Sequence, residues 1–141
     1  MASLGQRGAG ALVDGLLTSM VAIVPLILGL VDFDTRDPAL PAELVLALFL
    51  FGAVYTIVPT ALWGQTPGKI AMGTRVVVDE DGTLPGWWRS AVRWAVAGFG
   101  GRLPYVGPAV SLAVMATVAL DRRRRGLHDR AAGTVVVRVP R

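Results

Sequence analysis

Cysteine is absent from this chain, which excludes a disulfide framework, a thiolate metal site and a cysteine nucleophile. Histidine occurs once, at His128, too few for a histidine-based metal centre. Charge is scarce as well: charged residues make up 17% of the 141 residues, against about 25% in an average soluble domain. They cluster between long uncharged runs instead of alternating along helix faces, which argues against a coiled coil, a disordered tail and most soluble enzymes. Lysine is nearly missing. Lys69 alone stands beside arginines among the 14 basic residues, in a chain rich in Ala, Gly and Val, a composition that suggests a GC-rich bacterial genome.

Apolar residues are what the chain has in excess. Hydrophobic residues reach 53% and the mean hydropathy is +0.56, too apolar for a soluble domain of 14.9 kDa. The reading is a single transmembrane domain over residues 1–141. A net charge of +4 and a pI near 10.6 would suit a nucleic-acid partner. The basic residues flank apolar segments instead, so the expected partner is anionic lipid and no nucleic acid.

Two long spans are expected at about residues 8–31 and 44–63. The first holds a single charge, Asp14, and lacks a small-x-small cleavage site, so it reads as uncleaved. The second has no charge, closes on Trp63, and carries Pro59 late enough to kink the helix without abolishing it. Between them, Asp32, Asp34, Arg36 and Asp37 mark a short acidic loop. Twelve of the 14 basic residues follow Trp63, which places that side in the cytoplasm. A single further span over 103–120 would then put Arg122, Arg123, Arg124 and Arg125 outside. Two shorter crossings, about 87–101 and 105–120, remove that conflict and return the C-terminus to the cytoplasm with the N-terminus.

Two β-type runs, about 74–78 and 134–139, give a second reason for an even count. Lone strands leave backbone groups unpaired, so these two should pair on one side of the membrane. The expected fold is therefore an all-α membrane protein. Its small helical bundle has two long spans plus a shorter helical hairpin, four crossings in all, with a minor two-stranded cytoplasmic β element. No internal repeat is apparent in the sequence.

Asp14 is the most informative residue, because an ionisable group within a span is costly and needs a partner or a watery cavity. Arg7 lies two helical turns before it on the same face, and Arg89 and Arg93, four apart, are further candidate partners. Either these charges form a proton or ion path with Asp14 as the titrating group, or they fix helix packing. The Gly64, Pro67, Gly68 and Lys69 stretch departs from a phosphate-binding loop in spacing and has Ile70 where Ser or Thr is needed, so it reads as a tight interfacial turn. Lys69 is expected to snorkel to headgroups, as the run from Arg122 to Arg125 is expected to anchor on anionic lipid. His128, beside Asp129, reads as an interfacial hydrogen-bonding residue or a pH-sensitive group. Trp63, Trp87, Trp88 and Trp94 read as an aromatic belt.

In order and spacing these features resemble the RDD family of small bacterial membrane proteins, named for one arginine and two aspartates. The matching residues are Arg7 and Asp14, Tyr55, the stretch from Gly64 to Lys69, the valine strand with Asp81 and Gly82, Arg89 and Arg93, then Leu127, His128 and Asp129 with Ala132, Gly133, Thr134, Val135 and Val136. The eponymous residues fall on Arg7, Asp14 and Asp129. Pro67 departs from the family's frequent hydrophobic residue and should stiffen the turn. The resemblance implies a bacterial plasma-membrane protein; transport of unidentified ligands has been proposed for the family and sodium/proton antiport associated with some members. The residues themselves show no Ser-His-Asp set, no metal constellation and no cofactor fingerprint, so an enzyme is not expected. Two functions stay open. One is an accessory or assembly subunit, partnered by a second copy or another membrane protein, with a buried network of Arg7, Asp14, Arg89, Arg93 and Asp129. The other is an ion or small-solute transporter using Asp14.

Overall fold

The computed structural model describes residues 1–29, 41–102, 116–118, 121 and 125–139. Helix α1 spans Leu4–Ile27, beginning ahead of the expected position 8. The start is set by a capping box. Ser3 Oγ accepts the Gln6 N–H at 3.1 Å and Gln6 Oε1 accepts the Ser3 N–H at 3.1 Å, satisfying two donors that a helix start leaves open. Helix α2, Ala42–Trp63, runs through Pro59 and stops at Gly64, whose φ of 70° turns the chain while its N–H closes on the Thr60 carbonyl at 2.9 Å. Both helices are long and apolar enough to cross a membrane, with mean hydropathies of 1.6 and 2.1, and most of their side chains face outward from the chain.

A short helix α3, Pro67–Ala71, leads into strand β1, Thr74–Val78. Proline at the first helical position costs no hydrogen bond there and presets φ. Helix α4 covers Gly86–Arg102, close to the expected 87–101. Helix α5, Leu127–Ala131, leads into strand β2, Thr134–Arg138. The strands pair antiparallel with Thr74 opposite Arg138 and Val78 opposite Thr134. Val139 falls just beyond the strand, its N–H donating to Gly73. Of the segment 105–120, residues 116–118 are helical and the rest lies outside the described residues, as do the loop at 30–40 and Arg122, Arg123 and Arg124.

The structure corrects one expectation outright, because the chain does contain an internal repeat. Residues 67–78 and 127–138 each form a five-residue helix, a two-residue turn and a five-residue strand, with Ala71, Gly73, Thr74, Val76 and Val77 matched by Ala131, Gly133, Thr134, Val136 and Val137. The turn glycines adopt the same left-handed φ, 61° and 62°. Their hydrogen bonds repeat too: Gly73 N–H to Ile70 and Gly133 N–H to Arg130, then Val139 N–H to Gly73 and Asp79 N–H to Gly133, all between 2.9 and 3.2 Å. The offset is 60 residues (127 − 67), and the ladder pairs Val76 with Val136 at that same offset (136 − 76). A local two-fold axis therefore runs through this central pair.

Ala2, Val76 and Val136 form the buried core on that axis, and the Ala2 N–H donates to Val136 O at 3.0 Å. The start of α1 is thereby tied to the sheet. Helix α1 packs chiefly on α3, α2 on α4, and α4 on α5, whereas α1 and α2 meet only sparsely. The long helices thus stand on a cap made of the two helix-turn-strand units.

Candidate functional site

The cap is joined to the helices through two carboxylates. Asp14, in the middle of α1, faces the N-terminal end of α3. Its Oδ1 accepts the Tyr55 hydroxyl at 2.8 Å and the Gly68 backbone N–H at 2.7 Å. Its Oδ2 accepts the Thr66 hydroxyl and lies 3.5 Å from the Lys69 ammonium, which also donates to Thr66 Oγ at 3.0 Å. A carboxylate has about four acceptor positions, and α2, the turn after it and α3 supply three donors here, with the Lys69 ammonium as counter-charge. The contact depends on Gly68. A Cβ there would lie 2.2 Å from the Gly10 carbonyl oxygen and 2.7 Å from Asp14 Cγ, so only glycine lets the two backbones approach this closely.

Asp129, fully buried at the third position of α5, is the second centre. Its Oδ2 caps the helix by accepting the Gly126 N–H at 3.0 Å and also accepts from Arg7 of α1. Its Oδ1 forms an ion pair with Arg93 of α4, whose Nη1 also donates to Thr134 Oγ at 3.1 Å. Two guanidiniums from two helices thus share one carboxylate in the cap.

The repeat relates the two centres. Lys69 and Asp129 occupy the same place in their units, the third residue of the short helix. Each binds an opposite charge on a long helix, Asp14 in one case and Arg7 with Arg93 in the other, so the charges are exchanged between the halves.

The expected five-residue network is divided accordingly. Arg7, Arg93 and Asp129 come together, but Asp14 is paired with Lys69. Arg89 forms no ion pair among the described residues and donates to the Ala132 and Gly133 carbonyls at 3.2 Å each, closing the second turn. Lys69, expected to point to headgroups, is paired with Asp14 and donates to Thr66. Arg125 is engaged by Asp79 at 2.7 Å and Asp121 at 3.4 Å instead of extending as a free anchor. Gly64 and Pro67 do shape the turn. Of the four tryptophans, Trp63, Trp87 and Trp88 are exposed, while Trp94 packs edge-on against Phe49 with centroids 4.9 Å apart. Tyr55 and Thr66 stood among the family-matching residues, but nothing local marked them as partners of Asp14.

Between α1, α2 and α4 lies a cavity of about 520 Å³ whose lining includes Arg7, Asp14, Tyr55, Lys69, Arg93 and His128. Burial lowers the Lys69 ammonium to about 8, with Arg93 acting in the same direction and Asp14 opposing it. His128 is pushed down to about 2 by burial, then by Arg93, Arg7 and Lys69, and the Asp129 oxygen 3.5 Å from its Nε2 does not offset them. The folded protein therefore holds this imidazole neutral, whereas the unfolded chain binds a proton below the ordinary value of 6.5. Stability from this residue is complete above 6.5 and is lost progressively as pH falls from there towards 2. In detergent, acidification below pH 6.5 should lower the unfolding free energy with a limiting slope of about 1.4 kcal/mol per pH unit. His128→Asn should flatten that slope, and an unchanged slope in the variant would contradict the assignment.

The sequence model described as the RDD family matches residues 1–133, a stretch that includes both carboxylate centres. The chain belongs to the RDD family. Searches of curated proteins and of solved structures return no match. As an RDD protein with two helices apolar enough to span, it is a small membrane protein, and Arg7, Asp14 and Asp129 can be placed in one scheme: the arginine pairs with the second aspartate, and the first aspartate pairs with Lys69.

Proposed function

We propose that this RDD protein is an accessory or assembly subunit of a bacterial cytoplasmic membrane, whose buried Arg and Asp groups hold the helices on a cytoplasmic cap. The observation that carries this reading is the engagement of Asp14: its oxygens accept from Tyr55, Gly68 and Thr66, and the Lys69 ammonium 3.5 Å away already stands where a transported cation would be needed. The outward apolar faces of α1 and α2, with Leu12, Leu16 and Met20 on one and Leu46, Leu50 and Val54 on the other, suit lipid, a second copy or another membrane protein.

Four crossings with both termini in the cytoplasm are part of the proposal. Pairing of β1 with β2, and of Ala2 with β2, supports it, since segments sharing one sheet share one side of the membrane. The repeat supports it as well: the first unit follows two long helices, so the second is expected to follow α4 and one further span before Arg125. No enzymatic chemistry belongs to this reading.

The second reading is transport of a cation or small solute through Asp14, favoured by the position of Asp14 on the cavity wall. Purified protein in vesicles loaded with a pH-sensitive dye separates the two. The assembly reading expects no sodium-driven proton flux above empty vesicles. Flux that disappears in Asp14→Asn would overturn it in favour of antiport.

A further inference from the structure

We propose that the cavity between α1, α2 and α4 binds one membrane amphiphile with an anionic head, the head resting on Arg7, Arg93 and Lys69 and the acyl chain lying along α1. This goes beyond the assembly reading, which requires no ligand.

Charge is the first argument. Among the described residues the cationic groups of this cluster are Arg7, Lys69 and Arg93, and the carboxylates are Asp14 and Asp129. His128, on the same wall, is neutral for the reasons given above. Among the described residues three cations stand with two carboxylates, a positive balance that suits an anionic head at the edge of a low-dielectric region. His128 Nδ1 adds a buried polar atom without a hydrogen-bond partner among the described residues.

Shape is the second. The lining follows one face of α1 from Arg7 through Ala11 and Asp14 to Thr18. Those eleven residues (18 − 7) rise about 16 Å along the helix. Half of the roughly 30 Å hydrocarbon thickness is about 15 Å, so the depth suits one leaflet. The polar groups of the upper wall are already bonded: the Thr18 hydroxyl donates to the Asp14 carbonyl at 2.9 Å and the Tyr55 hydroxyl to Asp14. What they leave facing the cavity is largely apolar, together with Ala97 and Trp94 of α4. A cationic region continuing into a largely apolar wall matches a lipid better than a small soluble anion, which would fill only the cationic region. The volume, about 520 Å³, lies within the range of about 300–1,000 Å³ usual for ligand sites.

Trp94 on the wall provides the readout. A variant carrying Trp63→Phe, Trp87→Phe and Trp88→Phe retains Trp94 as its only tryptophan. In nanodiscs, phosphatidylglycerol brominated on its acyl chain should quench this tryptophan about fivefold more steeply than equally brominated phosphatidylcholine, the ratio expected when about one basic group recognises the head. Ala11→Phe, which fills the cavity along the α1 wall while keeping every charged group, should abolish the preference. Leu12→Phe, on the outward face of α1, should retain it, and millimolar inorganic phosphate should leave the quenching unchanged. Equal quenching by the two lipids, or a preference that survives Ala11→Phe, would overturn the proposal. Loss of quenching on adding phosphate would also overturn it, by identifying the occupant as a soluble anion. Unfolding curves of both phenylalanine variants in detergent establish that each is folded before its quenching is read.

Discussion

Asp129→Asn is expected to lower the unfolding free energy by about 3–5 kcal/mol, the usual cost of removing one partner from a buried ion pair. That approaches the entire stability of many small domains. The substitution is nearly isosteric, so no cavity is created. Its amide oxygen can still accept the Gly126 N–H, so the cap of α5 survives. What disappears is the charge of the carboxylate that Arg7 and Arg93 share, leaving two guanidiniums on α1 and α4 to repel each other at the cap. Denaturant or thermal unfolding in mild detergent measures the effect. Asp129→Glu should recover part of the loss, since it restores the charge at the cost of one extra methylene in a fully buried position. An Asn variant within about 0.5 kcal/mol of the parent would mean that the arginines do not depend on this carboxylate.

The second large effect is expected at Asp14. Asp14→Asn removes the counter-charge of Lys69 and places an amide donor where Tyr55, Thr66, Gly68 and Lys69 all donate. An Asn carbonyl cannot replace both carboxylate oxygens, so at least one donor is left facing another. Both side chains retain some exposure, 15% for Asp14 and 20% for Lys69, so the expected loss is smaller, about 2–3 kcal/mol. It should appear mainly as separation of α1 from α3, the contact that the close approach of Gly10 and Gly68 permits.

Much of this architecture could be read from local pattern. The long helices follow from uncharged apolar runs, and the strands from consecutive β-branched residues that needed each other as partners. Even the start of α1 is written in the sequence, as Ser3 and Gln6 at capping-box spacing, although the apolar run alone pointed to a later position. The pairing of charges was not legible in the same way. Arg7 and Asp129 lie 122 positions apart, and Asp14 and Gly68 lie 54 apart, separations at which spacing carries no information about contact. The pairing of Lys69 is hidden for a related reason. A lysine just past an apolar helix ordinarily snorkels, and nothing local reveals that the chain folds back to bring it under Asp14. The repeat is hidden in the sequence because its first seven positions share only Ala71 with Ala131 and Gly73 with Gly133, and its charged position is exchanged from Lys69 to Asp129. Backbone geometry exposes what composition hides: matching glycine φ angles and a ladder centred on the pair related by the repeat.

The Asp14 carboxylate of α1 is a fastening between helix and cap. The most direct test is a double-mutant cycle on Asp14→Asn and Lys69→Met, read as unfolding free energy in detergent. The account predicts that each single variant is destabilised and that the double variant loses less than the sum, with a coupling energy of about 1–3 kcal/mol. Asp14→Asn as stable as the parent, with effects that simply add in the double variant, would contradict it.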